Sequence, residues 1–163
     1  MKDNLLTIVV GLLLMIIIGS LVYLFIFSTN TNKTRLPLVE DCSLHLQACS
    51  SELPNGGKII FEINPKQPNP TEVLYLTATF QQIEPQLVQV SFKGKTMNMG
   101  YLEYVKYALQ KKDTMDKSIL FSGKGGLSVC VSGLMEWIVL VNVKADGATY
   151  EVPFKLETIY NYK

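Results

Sequence analysis

Two different patterns of apolar residues divide this chain. Positions 5–27 are apolar throughout, with no charged residue and no proline. From position 58 onward, apolar and polar residues alternate in short runs that are separated by turn-forming residues. The first pattern is typical of a membrane-spanning helix, and an alternation with a period of two is typical of β-strands.

The apolar run from Leu5 to Phe27 predicts a transmembrane anchor over residues 1–27. A helix needs ~20 apolar residues to cross a bilayer core of ~30 Å. A signal peptide has a shorter apolar region that ends in a small-x-small cleavage site, and a buried core helix has a polar stripe. The run has neither feature. Because long segments cross a membrane largely regardless of flanking charge, we expect the C-terminal domain outside the cytoplasm.

Residues 58–163 predict an all-β domain of seven to nine short strands. The inward-facing series are Ile59, Phe61 and Ile63; Leu74, Leu76, Ala78 and Phe80; Val88, Val90 and Phe92; Val105, Tyr107 and Leu109; Leu127, Val129 and Val131; and Tyr150, Val152, Phe154 and Leu156. Turns recur every ~8–12 residues, which is the pattern of an antiparallel β-sandwich.

Individual segments make the prediction more specific. Residues 137–143 are apolar on both faces and predict a central strand, and Asp146-Gly147 predicts a hairpin turn. Lys111-Lys112-Asp113 is predicted to be a turn. In the last strand Glu151 is expected to face outward, and Pro153 predicts an edge or a bulge, because proline lacks an N–H for the ladder.

Residues 28–57 are predicted to be a tether followed by a cysteine-containing segment. Asp41–Ser51 is short and could form one or two helical turns. On one intact helix Cys42 and Cys49 would lie ~10 Å apart along the axis, whereas a disulfide needs Cα atoms within ~7 Å. Either the segment turns and the two cysteines pair, or His45 joins one of them at a metal, or the three have no joint role. We expect the disulfide, which is the simpler outcome outside the cytoplasm.

Charge and motifs exclude several classes of function. The formal net charge is +1, which lacks the basic excess of a nucleic-acid-binding surface. The sequence has no G-x-S-x-G, P-loop, H-E-x-x-H or C-x-x-C motif, and His45 is its only histidine. We therefore expect a protein that is not an enzyme, and we identify no small-molecule substrate.

One constellation of soft donor atoms remains, formed by Met97, Met99, Cys130 and Met135. Alternation places Met97 and Met99 on one face of a strand, and Cys130 shares its strand face with serines. Thioether and thiolate ligands select Cu(I) over harder ions. The other interpretation is that the methionines fill gaps in the core, as methionine often does.

Three segments carry a resemblance to a known group of proteins. They are residues 97–101 (MNMGY), 129–137 (VCVSGLMEW) and 150–154 (YEVPF). With the anchor, they resemble short bacterial membrane proteins that have one N-terminal helix and an immunoglobulin-like extracytoplasmic domain, and the chain is broadly similar to the YtkA-like and FixH-like groups. The resemblance covers roughly residues 58–157. It implies an immunoglobulin-like fold in the periplasm, bound to the bacterial inner membrane, and a role in copper handling or cytochrome oxidase assembly.

The sequence therefore predicts a single-pass membrane protein with an immunoglobulin-like antiparallel β-sandwich outside the cytoplasm. The expected cofactor is Cu(I), the expected partner is another membrane protein, and a disulfide links Cys42 and Cys49. The alternative is a structural or interaction subunit of a membrane complex that binds no metal.

Overall fold

The computed structural model describes residues 11–23, 32–69, 71–95, 105–115, 117–127 and 133–159, with the backbone alone at residues 32 and 113–115. The chain divides into two compact units, Met1–Asn32 and Lys33–Lys163. Residues 11–23 of the first unit are α-helical and exposed. Among the described residues, no helix combines the length and the apolar character that a membrane crossing requires. Residues 5–10 and 24–27 of the predicted anchor lie outside the described part of the chain.

The rest of the described chain is all-β, as the alternation predicts. Its strands are β1 (Asn32–Arg35), β2 (Val39–Ser43), β3 (Cys49–Glu52), β4 (Lys58–Asn64), β5 (Leu74–Gln81), β6 (Leu87–Gly94), β7 (Tyr107–Met115), β8 (Ser118–Gly125), β9 (Leu134–Ala145) and β10 (Ala148–Ile159). They form one curled sheet in the order β1-β10-β9-β6-β7-β8-β5-β4-β3, and β2 also pairs with β10. Residues 28–57, predicted to be a tether and a cysteine-containing segment, thus contribute three strands.

The alternating series in β4, β5 and β6 predict these strands correctly. Ile59, Phe61 and Ile63 are buried while their neighbours are not, since side chains on successive strand residues point to opposite faces. Residues 137–143 lie in β9, which is a central strand between β10 and β6. Asp146 and Gly147 form the two-residue turn between β9 and β10, both with positive φ (51° and 75°), as such hairpins require.

The predicted turn at residues 111–113 is wrong, because β7 continues through it. In the pairing of β7 with β8, Lys111 lies opposite Phe121 and Asp113 lies opposite Leu120. Lys112 is therefore an extra residue in a bulge. Before it β7 pairs with β6, and after it β7 pairs with β8 alone. The polar run therefore lies where β7 separates from β6, since bulges bend and twist the strand that carries them.

The edge predicted at Pro153 corresponds to a gap between two short strands. Glu151 O accepts a hydrogen bond from Leu36 N (2.9 Å), and Lys155 O accepts one from Leu44 N (2.9 Å). Because alternate residues of a strand direct their backbone groups to the same side, Pro153 faces this side too, where the chain passes from β1 to β2. The β2–β10 pair is parallel, with an irregular register between Phe154 and Lys155, so the sheet is not wholly antiparallel.

The core lies inside the curl of the sheet. Phe61 of β4 and Phe154 of β10 stack with ring centroids 5.8 Å apart, although their strands lie near opposite ends of the strand order. Trp137 is buried, and its indole N–H donates to Thr158 Oγ1 (2.9 Å), which is buried as well. Two distant parts of the sheet therefore share one core.

Candidate functional site

The Cys42–Cys49 disulfide predicted from the sequence is present, with Cα atoms 5.7 Å apart. The intervening residues do not form the helical turns considered from the sequence. Instead β2 ends at Ser43, a turn follows, and β3 begins at Cys49. β2 pairs with β10 and β3 pairs with β4, so the bridge joins the two ends of the curled sheet. The bridge therefore links the β10 side of the sheet to the β4 side, and it also closes the short loop between Cys42 and Cys49.

His45 lies in the turn between the bridged cysteines. Its Nδ1 is 2.7 Å from Ser43 Oγ, and its side chain lines a shallow groove with Gln67 and Glu157. Both cysteine sulfurs are in the bridge, so neither is available to His45 as a thiolate ligand. Among the residues that the structure describes, no group of three or more His, Cys, Asp or Glu side chains could hold a metal.

Three of the four soft-ligand candidates, Met97, Met99 and Cys130, lie outside the described residues. The strands that border their segments end side by side. Gly94 at the end of β6 lies opposite Trp137 near the start of β9. The Tyr107 hydroxyl at the start of β7 donates to Gly126 O, just after β8 (3.0 Å). The topology therefore brings both bordering pairs of strands to one end of the sheet, which we call the loop end.

Met135, the fourth candidate, lies at the loop end in β9. It pairs with Thr158 of β10 and is 5% exposed on the core face of the strand. This burial is what the gap-filling interpretation expects of a methionine. Met135 nevertheless follows Cys130 by only five residues in the chain.

The loop end also carries exposed apolar side chains that sequence analysis did not single out. Leu134 and Ile159 face each other across β9 and β10, and they are 61% and 62% exposed. Leu46 is 63% exposed and lines the same groove as Ile159. A cross-strand apolar pair that is left open to solvent is more informative than a single exposed leucine.

Glu151 is the largest departure from the sequence prediction. It was expected to face outward, but its side chain is only 8% exposed and is covered by β1. Its carboxylate lies 2.6 Å from Lys33 Nζ and 3.2 Å from Arg35 Nε. We call these three residues the β1 clasp. Alternation alone could not identify it, since Lys33 and Arg35 resemble ordinary polar tether residues.

A second ion pair fastens β2 to β10. Lys155 Nζ lies 2.5 Å from Glu40 Oε2, and the same ammonium donates to the Glu40 carbonyl (3.0 Å). The hydrogen bond and the charge of Lys155 lower the pKa of the Glu40 carboxyl below its usual value. The same pair raises the pKa of Lys155, chiefly through the hydrogen bond that its ammonium donates to the Glu40 carboxylate. Charged contacts therefore fix both short strands that precede the disulfide.

No protein-family model matches the chain, and no curated protein is significantly similar to it.

Proposed function

We propose that this chain is a membrane-anchored, extracytoplasmic accessory protein that handles copper or serves cytochrome oxidase assembly. The observation that carries the proposal is the convergence of β6, β7, β8 and β9 at the loop end. These strands border both sequence segments that contain soft donors, and Met135 lies beside them in β9. Thioether and thiolate donors suit Cu(I), which is why we propose Met97, Met99, Cys130 and Met135 as its ligands.

Copper fits this donor set better than a harder ion would. Cu(I) prefers soft sulfur ligands, whereas carboxylate and carbonyl oxygens suit Mg²⁺ and Ca²⁺. Cys130 would be the strongest donor once its thiol is deprotonated, and proton release would accompany binding. A bound Cu(I) would supply transferable copper, and the chain itself would hold it and pass it on without a reaction of its own.

The proposed location is the bacterial periplasm, with the anchor at residues 5–27 in the inner membrane. The Cys42–Cys49 bridge supports an oxidising compartment, because disulfides are rare in the reducing cytosol. Protease added to sealed spheroplasts should therefore digest the all-β unit Lys33–Lys163, which we call the β unit, while leaving a cytoplasmic marker intact. Protection of the β unit under those conditions would contradict the periplasmic location.

We propose an immunoglobulin-like sandwich as the finer description of the fold. Immunoglobulin domains place strands A, B, E and D in one sheet and C, F and G in the other. The neighbours β4-β5-β8-β7 and β6-β9-β10 have the same order when β4 is taken as strand A. In this assignment β7 changes sheets at the Lys112 bulge, and β2 pairs with the last strand.

Copper binding is tested by titrating the full chain in detergent with Cu(I), against a competing chelator and with reductant present. Binding should weaken strongly in the Cys130→Ser, Met97→Leu double variant, and less in Met135→Leu, which keeps the core volume but removes the sulfur. Met115→Leu is the matched control, because Met115 lies outside the proposed ligand set. Equal affinity in all four proteins would overturn the copper proposal.

A second function, an interaction subunit of a membrane protein complex, is favoured by the exposed apolar residues at the loop end. Leu134 and Ile159 form an open cross-strand pair there, with Leu46 beside the same groove. If this function is correct, a Leu134→Ser, Ile159→Ser variant should lose cross-links to its membrane partner, whereas the Cys130→Ser, Met97→Leu variant should keep them. The matched control is Val73→Ser, at an exposed apolar residue that precedes β5.

A further inference from the structure

A basic groove lies on the outer face of the sheet, near the point where the chain enters the β unit. It has a volume of about 180 Å³ and crosses β1, β10, β9 and β6 to the residue before β7. Its lining residues are Lys33, Leu87, Gln89, Lys106, Asn142, Lys144 and Thr149. A water molecule occupies about 30 Å³ of liquid, so the groove can hold a phosphate group with part of its hydration.

The groove is assembled by strand pairing. Lys144 lies opposite Leu87 of β6 and Thr149 of β10, and Asn142 lies opposite Gln89. These residues alternate with the buried series of each strand, so their side chains share the outer face. Lys106 directly precedes β7, next to Tyr107, which pairs with Val90. Residues far apart in sequence thus converge on one surface.

The donors of the groove suit an anion. Three ammonium groups, two carboxamides and one hydroxyl line it, and no carboxylate does. Glu151 pairs with Lys33, but within the described part of the chain no acidic side chain forms an ion pair with Lys106 or Lys144. Two positive charges are therefore available to a ligand, with amide N–H groups between them.

The groove also lies close to the predicted membrane anchor along the chain. Lys33 follows Phe27, the last residue of the apolar run, by six residues, which span at most ~20 Å when fully extended. The headgroup layer on each side of the hydrocarbon core is ~5–7 Å thick. The entry end of the β unit can therefore reach the phosphates of the bilayer that holds the anchor.

We infer that this groove docks the β unit onto the phosphate groups of anionic phospholipids in its own membrane. The inference rests on the anchor in the proposed function and extends it with a second, electrostatic contact. Lys106 and Lys144 contact the lipid phosphates, and the amides of Gln89 and Asn142 donate hydrogen bonds between them. Leu87, 42% exposed at the edge of the groove, faces the same interface.

The test uses the full chain in nanodiscs of phosphatidylcholine alone or of equal parts phosphatidylcholine and phosphatidylglycerol. Acetylation of each lysine amine is followed by mass spectrometry. A basic side chain near an anionic surface gains enough stabilisation to lower its free fraction about fivefold, so Lys106 and Lys144 should react about that much more slowly in the anionic discs. Lys112 and Lys124, which line a groove in another part of the sheet, should react equally in both.

Matched variants identify the contact. In Lys106→Gln the protection of Lys144 by anionic lipid should disappear, whereas Lys112→Gln, with the same change of charge, should keep it. Equal acetylation of Lys106 and Lys144 in both kinds of disc would overturn the inference. The same protection by inorganic phosphate in neutral discs would overturn it too, since the groove would then take a soluble anion.

Co-purification of the chain with the nanodiscs distinguishes a wrong anchor from a wrong groove. If the full chain does not stay with either kind of disc, the anchor itself is wrong, and the docking inference falls with it. If the chain stays with both kinds of disc but the lysines react equally, only the groove is wrong and the proposed anchor stands.

Discussion

Removing the carboxylate of the β1 clasp should lower the free energy of unfolding less than removing its two cations. In Glu151→Gln the carboxylate is replaced by a neutral group of the same shape, and the two cations are freed. Lys33 and Arg35 are 58% and 63% exposed, so both return to water readily. Hydrogen bonds to charged groups contribute ~1.5–3 kcal/mol. We expect a loss near the lower end, about 1.5 kcal/mol, because the freed partners are solvated.

Removing the cations instead leaves the carboxylate unpaired where it is only 8% exposed. In Lys33→Met, Arg35→Met the aliphatic stems remain and the donors are lost. A charge left buried without its partner costs ~3–5 kcal/mol. We expect about 3 kcal/mol, since β1 is a short edge strand that can move and admit water. The double variant should therefore be less stable than Glu151→Gln.

The assay is denaturant unfolding of the full chain in detergent, with hydrogen exchange at the Leu36 amide as a local probe. That amide donates to Glu151 O and should exchange faster in both variants. Lys111→Met is the control, because it breaks the exposed Glu84–Lys111 pair of 2.7 Å and should change stability little. The reasoning is refuted if Glu151→Gln is the more destabilising change, or if the double variant resembles the control.

Three further predictions concern other contacts. Thr158→Val should destabilise the fold by about 1–3 kcal/mol, since it leaves the buried Trp137 N–H without its acceptor; adding Trp137→Phe should cost less than the sum of the two single changes, as a double-mutant cycle will measure. The Glu40 carboxyl should titrate below its usual range by NMR and return to it in Lys155→Gln; because its pKa is lowered on folding, the contribution of this pair is present above the unfolded pKa and is lost as pH falls through the folded one. Gly123→Ala should destabilise β8, because a Cβ there would lie 2.7 Å from Leu109 Cδ2 and 3.0 Å from the Ala108 carbonyl oxygen; unchanged thermal unfolding would contradict that packing.

Local patterns predict those parts of the fold that depend on neighbours in sequence. The alternation around Phe61 identifies β4 because one face of that strand is buried and the other is not. Asp146-Gly147 identifies its hairpin because both residues tolerate positive φ. The bridge between Cys42 and Cys49 could be expected because disulfides form readily outside the cytoplasm, whereas helix geometry alone left metal ligation with His45 and no joint role as alternatives.

Other features depend on residues that meet only after the sheet forms. The burial of Glu151 requires Lys33 and Arg35 to lie over it, and no local pattern in β10 indicates which residues cover its outer face. The polar residues around Lys112 resemble a turn, because a bulge and a turn both favour exposed polar side chains. The basic groove is invisible in the sequence for the same reason: Lys106 and Lys144 belong to separate elements joined only by strand pairing.

The direction of the first strands determines what the loop end can meet. Leu36 contacts Glu151 and Val39 lies opposite Phe154, so the chain runs alongside β10 in the same direction after entering near the β9–β10 turn. The loop end lies at the far end of β10, and Ala148 to Ile159 spans roughly 36 Å at ~3.3 Å per residue. In the proposed function, a neighbouring membrane protein accepts copper at the loop end or binds Leu134 and Ile159 there. Lys144 and Thr149, which line the basic groove, lie at the other end of β9 and β10. Lipid bound in the groove and a partner bound at the loop end would therefore occupy different surfaces of the sheet.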